Sequence, residues 1–228
     1  MKKFSLLCTA ALVGGLYAQA QVTFGLKAGF SAANMSSKYE GDSGIASRKA
    51  DTKTIPAFHG GVIVDIALDD QLSLQPGLFF SQKGAKLKST IDLGSPSAIG
   101  VTSTTRLNYL ELPVNLLYKH QIGSGKLFAG FGPYIAYGIS GKFKVKTDNN
   151  LVDEDVKVKF KNSSEISAKE VYVKPFDAGA NFTAGYELKM GLLFSVNYSL
   201  GLTNTSPYNK ENEKNHYFGV SVGYLFKK

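Results

Sequence analysis

The chain has 228 residues, 43% of them hydrophobic and 19% charged, with 12 Tyr and 15 Phe but no Trp, and a formal net charge of +8. That length suits one domain, alone or with large loops, and so many aromatics exclude a disordered chain. The mean hydropathy is close to zero, which is unusual for a helical membrane protein but suits a membrane sheet, where only one face of each strand must be apolar.

Residues 1–20 stand apart. Lys2 and Lys3 give a basic start, the stretch from Phe4 to Tyr17 is dominated by Leu, Ala, Val and Gly, and Ala18-Gln19-Ala20 offers a small-residue cleavage signal before Gln21. This pattern predicts a secretory signal peptide over 1–20 and an exported domain over 21–228; the alternative is a short buried N-terminal helix. The single cysteine, Cys8, lies in this segment after Leu7, which does not suit lipoprotein cleavage. The exported chain then has no disulfide and no thiol nucleophile, and no apolar run of about 18 residues for a transmembrane helix. Removal of Lys2 and Lys3 lowers the net charge from +8 to +6. The remaining lysines are scattered through polar stretches such as 142–161 and interrupted by acids, so solvated loops explain them better than nucleic acid does; the alternative is contact with anionic surface lipid or polysaccharide.

Eight alternating runs follow in chain order. Val22 to Ala33 sets Phe24, Leu26, Ala28, Phe30 and Ala32 against Gly25, Lys27, Gly29 and Ser31. Ile55 to Leu68 sets Phe58, Val62, Val64 and Ile66 against His59, Gly61 and Asp65, and Asp69-Asp70 reads as a tight turn. Gln71 to Gln82 groups Leu72, Leu74, Leu78 and Phe80. Thr104 to Tyr118 groups Leu110, Leu112, Val114, Leu116 and Tyr118 against Glu111 and Asn115. From Lys126 to about Val145, Leu127, Ala129, Phe131, Ile135 and Tyr137 oppose Gly130, Gly132 and Gly138. Val171 to Glu187 sets Phe176, Ala178, Ala180, Phe182, Ala184 and Tyr186 against Asp177, Asn181, Thr183 and Glu187. The seventh run alternates Leu192, Phe194, Val196, Tyr198 and Leu200 with Ser195, Asn197 and Ser199, and the last sets Phe218, Val220, Val222, Tyr224 and Phe226 against Gly219, Ser221 and Gly223.

Period-two alternation marks strands with one apolar face. Runs of this length exceed the usual ~5–6 residues of soluble strands and match the ~9–11 residues of a tilted membrane-crossing strand. The connections after runs two, four and six are short. Those after runs one, three, five and seven (34–54, 83–103, 146–170 and 203–215) are long and polar, the asymmetry of outer-membrane barrels. These features together predict an all-β fold, an eight-stranded antiparallel up-and-down transmembrane β-barrel in a bacterial outer membrane, with both termini at the periplasmic end. Tyr118, Tyr137, Tyr186, Tyr198, Tyr217 and Tyr224 are candidates for interfacial girdles. The Leu, Val, Phe and Tyr face then meets lipid, and the polar face fills a narrow lumen; the inverse arrangement is a soluble barrel with an apolar cavity. Pro76, Pro113, Pro133 and Pro175 fall within proposed strands, where each lacks a ladder donor.

The polar face carries Lys27, Asp65, Glu111, Asp177 and Glu187, a candidate lumenal network in which Lys27 pairs with one or more of the acids. The alternative is a narrow polar route or a small-ligand site. His59 faces inward, His120 lies in a turn and His216 starts the last run. No spacing brings Ser, His and an acid together, so no catalytic residues, cofactor or metal site are expected and the chain does not read as an enzyme. Asp148, Asp153 and Asp155 could form a weak calcium loop but lack a regular ligand spacing. No second domain is expected after the last run.

Several segments carry a family resemblance: Phe24-Gly25-Leu26-Lys27-Ala28-Gly29-Phe30, Tyr109-Leu110-Glu111-Leu112-Pro113-Val114, Gly132-Pro133-Tyr134, Phe176-Asp177-Ala178-Gly179, Tyr198-Ser199-Leu200-Gly201-Leu202 and Gly219-Val220-Ser221-Val222-Gly223-Tyr224-Leu225-Phe226. They resemble the Bacteroidetes outer-membrane β-barrel family that includes the PorT-like proteins. The resemblance implies a barrel in the outer membrane and, for PorT-like members, service in secretion and assembly of surface proteins. The expected partners are outer-membrane lipid and lipopolysaccharide, with envelope or surface proteins beside them, and the expected state is a monomer that binds no nucleic acid. The expected function is a structural or surface-interaction role through external loops; the alternatives are a narrow channel for ions or small polar solutes and an accessory role in protein secretion.

Overall fold

A computed structural model describes residues 21–40, 48–92, 98–148, 152–163 and 170–227. The signal peptide expected over 1–20, Cys8 included, lies outside the described residues. In chain order the strands are β1 (Val22–Tyr39), β2 (Arg48–Lys49), β3 (Thr52–Lys53), β4 (Ile55–Ala67), β5 (Leu72–Asp92), β6 (Ala98–Ile122), β7 (Gly125–Thr147), β8 (Asp153–Phe160), β9 (Glu170–Val173), β10 (Phe176–Leu188), β11 (Leu192–Gly201) and β12 (Glu211–Leu225). Antiparallel pairings run β1–β4–β5–β6–β7, and continue through β7–β10–β11–β12 and β12–β1.

The expected clean eight-stranded up-and-down barrel is corrected here. The described residues form a twelve-stranded sheet, and the sheet is mixed, because β8 and β9 pair in parallel. The additional strands arise where the sequence suggests only long polar connections. β8 extends the sheet from the far half of β7, β2 pairs with the end of β1 and β3 pairs with β5. Within the expected connection 83–103, residues 83–92 and 98–103 instead continue β5 and β6 to lengths of 21 and 25 residues. Its lysines, serines and threonines offer no apolar contrast, so period two leaves no trace there, although Thr is a good strand former. The expected run from Val171 to Glu187 is broken between β9 and β10 at Pro175, which lies in a bend.

The two faces of the sheet are inverted relative to a water-soluble protein. Phe30 is 76% exposed, Phe131 62% and Ile135 60%, whereas Lys83 is 1% and Glu111 2% exposed. A contiguous apolar exterior of this size is expected of a surface meant for lipid or a partner, since soluble monomers keep such patches to a few hundred Å². Three interior apolar clusters back the polar side chains: Ile63, Phe79, Leu117, Phe128, Leu193 and Leu225 toward the short turns, Met35, Leu107, Tyr109, Tyr134, Val158 and Val173 toward the long connections, and Ala33, Ile55, Ala57 and Tyr217. Tyr217 belongs to the interior, 5% exposed, so it supplies no girdle position; Tyr118, Tyr137, Tyr198 and Tyr224 are exposed.

The prolines sit where the ladders are interrupted. Pro76 pairs with Val114 of β6 but has no partner in β4, whose ladder with β5 skips from Ile63–Gly77 to Ile66–Leu74. Pro113 pairs with Tyr134, and the β6–β7 ladder then skips to Leu116–Phe131, past Pro133. Pro133 keeps its partner Ala180 on the other side. Each proline thus sits beside a gap in the ladder on one side, consistent with its missing donor. The short turns are equally local: the Asp69 side chain accepts from the amides of Gln71 and Leu72 at 2.7 and 2.6 Å, and Gly123 and Gly191 take φ of 59° and 93°, which suits glycine.

A bulge lies between β6 and β7. Tyr109 pairs with Gly138 and Asn108 with Ser140, leaving Ile139 as the extra residue. A bulge reverses which side chains face inward. Below it Tyr137 points outward; above it Phe143 packs against the interior cluster while Lys142 is exposed.

Candidate functional site

The enclosed polar face gathers into two charged clusters and a hydrogen-bonded group between them. Toward the long connections, Lys83 Nζ lies 2.7 Å from Glu111 Oε2 and 3.0 Å from Asp177 Oδ2. Asp177 also accepts from Asn215 Nδ2 at 3.1 Å, from Thr203 Oγ1 at 3.1 Å and from Tyr134 O–H at 3.3 Å. Tyr217 O–H donates to Glu111 Oε1 at 3.3 Å, and the Lys83 ammonium stands 4.2 Å from the Tyr134 ring centre. The two carboxylates and their one cation are thus supported by neutral donors, as buried charge requires.

Toward the short turns, Lys119 Nζ lies 2.8 Å from Asp65 and 3.0 Å from Glu187. Gln75 donates to Asp65 at 2.8 Å, and Lys227 pairs with Glu187 at 2.6 Å. Between the clusters, Lys27 Nζ donates to Asn197 Oδ1 at 2.8 Å, which also accepts from Thr183 Oγ1 at 3.0 Å. Asn197 Nδ2 donates to Ser221 Oγ at 2.8 Å, and Ser221 lies 2.7 Å from His59 Nε2.

All five residues singled out from the sequence are buried, and four of them are in ion pairs. The exception is Lys27, which makes no ion pair with any of the four acids; its partner is the amide of Asn197. Three cations pair with the acids: Lys227 near the end of the chain, and Lys83 and Lys119, which fall where the sequence suggests connections. Continued alternation marks both: Lys83 follows Phe79 and Ser81 on the inward face of β5, and Lys119 follows Asn115 and Leu117 on that of β6.

The middle of this interior is nearly full, while a polar cavity of about 230 Å³ opens among Asp65, Ser73, Lys119 and Glu187 at the short-turn end. A void of about 30 Å³ remains among Lys27, His59, Gln75, Asn115, Asn181 and Asn197, close to the share of one water molecule. At the far end, Phe160 of β8 covers the interior, edge-on to Tyr109 with ring centres 5.4 Å apart. His59 Nδ1 has no hydrogen-bond partner, so the Ser221–His59 contact lacks the third group that orients a catalytic base. Among the described residues, no group of three or more His, Cys, Asp and Glu side chains is placed to hold a metal ion. Asp153 and Asp155 instead pair with Lys144 at 2.8 and 3.4 Å. The side chains therefore make a network of ion pairs and hydrogen bonds.

Among solved structures, the chain is similar to the outer membrane protein OprG from Pseudomonas aeruginosa at 12% identity and a TM-score of 0.45, over 92% of this chain and 98% of that one. It is similar to Neisserial surface protein A at 10% identity and a TM-score of 0.43, over 90% and 99%. Ail, the attachment invasion locus protein of Yersinia pestis, shows 13% identity and a TM-score of 0.38, over 90% and 99%, in a complex with the heparin analogue sucrose octasulfate. No curated protein matches. The family described as "Outer membrane protein beta-barrel domain" matches residues 17–207, which is most of the chain. An exposed apolar wall around a charged interior is the arrangement such a family calls for, and the chain belongs to the outer-membrane β-barrel domain family and resides in the outer membrane.

Proposed function

We propose that the protein serves a structural or surface-interaction role in the outer membrane, with a filled interior and with its long strands and connections turned outward from the cell. The filled interior is the observation that carries this reading. Two ion clusters and a central void of about 30 Å³ argue against a continuous aqueous path beyond the polar cavity at the short-turn end, and water-filled lumens belong to sheets of about 16–18 strands. Strand length supports the outward platform. A bilayer crossing takes ~9–11 residues, whereas β5, β6 and β7 have 21, 25 and 23.

Planar-bilayer recording of the pure protein tests this reading: silence is the expected result, and steady unit conductance favours the channel instead. Removal of residues 1–20 on export belongs to the same proposal. It predicts that protein purified from membranes begins at Gln21. Accessory service in secretion, the PorT-like role, predicts co-purification with envelope proteins and loss of surface cargo on deletion.

A further inference from the structure

Above the apolar wall, the outer face of β5–β8 carries cations in rows across the strands. In the lowest row Arg106 of β6 lies opposite Lys142 of β7, and Lys142 lies opposite Lys157 of β8. All three side chains are exposed. The next row runs Lys53, Lys86, Thr104, Lys144 and Asp155, and the one above it Lys88, Thr102, Lys146 and Asp153.

The rows differ in how their charge is balanced. Lys144 and Lys146 are met by Asp153 at 2.8 and 3.1 Å. Among the described residues no ion pair reaches Arg106, Lys142 or Lys157. Glu170 stands opposite Lys157 in the β8–β9 ladder, but its carboxylate is held by Lys159. Like charges directly opposite one another destabilise a sheet, so three in succession make a favourable seat for an anion.

Height identifies the anion. The last paired apolar row sets Leu110 opposite Tyr137, both exposed, with the exposed bulge residue Ile139 just above it. Above it Gln82, Asn108 and Ser140 form a hydrogen-bonded polar row, Gln82 Nε2 donating to Asn108 at 3.2 Å and Asn108 Nδ2 to Ser140 at 2.9 Å. Arg106 lies four residues beyond Leu110. At ~3.4 Å per residue and a strand tilt of about 40°, that is roughly 10 Å above the last apolar row, near the level of lipid headgroups. The bulge at Ile139 makes the site, since without it Lys142 would face inward.

We propose that Arg106, Lys142 and Lys157 bind the phosphate groups of a phosphorylated glycolipid in the outer leaflet. Arg106 supplies a planar fork that matches phosphate, and the two lysines supply point charges. The site lies on the side wall at headgroup height, where a neighbouring lipid meets it edge-on. It rests on the outward orientation proposed above.

The test compares wild type with R106Q/K142Q/K157Q in nanodiscs of phosphatidylcholine, with and without lipopolysaccharide. The triple variant is expected to lose about tenfold in lipopolysaccharide affinity, while in phosphatidylcholine alone it unfolds no earlier than wild type, because the mutual repulsion is gone. Equal affinity of both proteins overturns the site. So does inorganic phosphate or heparin competing with lipopolysaccharide and showing the same loss in the variant, which would make it a site for soluble anions. Should the triple variant fail to fold, wild type decides: lipopolysaccharide binding that ignores added salt overturns the proposal. Orientation is read separately from labelling of Lys146→Cys in intact cells with an impermeant maleimide. Labelling supports the outward end; its absence overturns the leaflet assignment while the nanodisc comparison still judges the phosphate site.

Discussion

Lys83 and Asp177 meet at 3.0 Å although 94 residues separate them in the chain, and Glu111 completes the cluster at 2.7 Å from the same ammonium. The three side chains come from β5, β6 and β10. Their pairing fixes the relative placement of strands that are remote in sequence, and it does so in an enclosed space with little water to screen it. Removing the cation strands two carboxylates. Lys83→Met is expected to destabilise the fold by about 3–5 kcal/mol, read as a lower midpoint for the heat-induced gel shift of the detergent-extracted protein. Combining it with Glu111→Gln and Asp177→Asn should recover most of the loss, because no buried charge is then left unpaired.

Lys27 offers the contrasting case. It donates to neutral Asn197, and Asn197 Oδ1 keeps the Thr183 hydroxyl as a donor if Lys27 is removed. Lys27→Met therefore relieves a desolvated charge at the loss of one hydrogen bond, and the net cost should stay within about 1 kcal/mol. A midpoint drop as large as that of Lys83→Met would mean that Lys27 serves an acid after all.

How much of this is legible in the sequence depends on contrast. The inward placement of Asp65, Glu111, Asp177 and Glu187 follows from alternation against Leu, Phe and Val neighbours. Lys83 and Lys119 escape because each sits just past the last apolar residue that marks the end of a run. The bulge at Ile139 leaves no mark in the sequence, and extending the pattern from Tyr137 places Phe143 on the wrong face. β8 is alternating too, with Val156, Val158 and Phe160. Its parity is hidden by the charged residues Asp155, Lys157 and Lys159 that alternate with them.

Gly138 tests the cover of the interior. Any side chain at this position would clash with the Phe160 ring, so Gly138→Val must displace Phe160 from Tyr109. Amide hydrogen exchange should speed up in β8 and β9 while β10 and β11 stay protected. Uniform loss of protection would mean that Phe160 is integral to the whole sheet.

The pairing of β8 with β7 should also depend on pH. Hydrogen bonds from Lys144 and Lys146 hold the Asp153 carboxyl below its ordinary value, and the hydrogen bond from Lys159 does the same for Glu170. A depressed carboxylate contributes stability that is present above its unfolded value and is lost as pH falls through the folded one. Exchange in β8 should therefore rise as pH drops below about 4, after correction for intrinsic rates, and Asp153→Asn should flatten that rise. Both groups are exposed, so salt should weaken the effect.

The apolar face of the sheet is its outside and the charged face its inside, and on this everything else rests. The chain has no tryptophan, so a single introduced one reports without background. Phe131→Trp on the exposed face and Phe128→Trp in the interior cluster are to be compared in vesicles containing brominated lipid. Strong quenching at position 131 and little at 128 is the expected result. Quenching at 128 with none at 131 would contradict it.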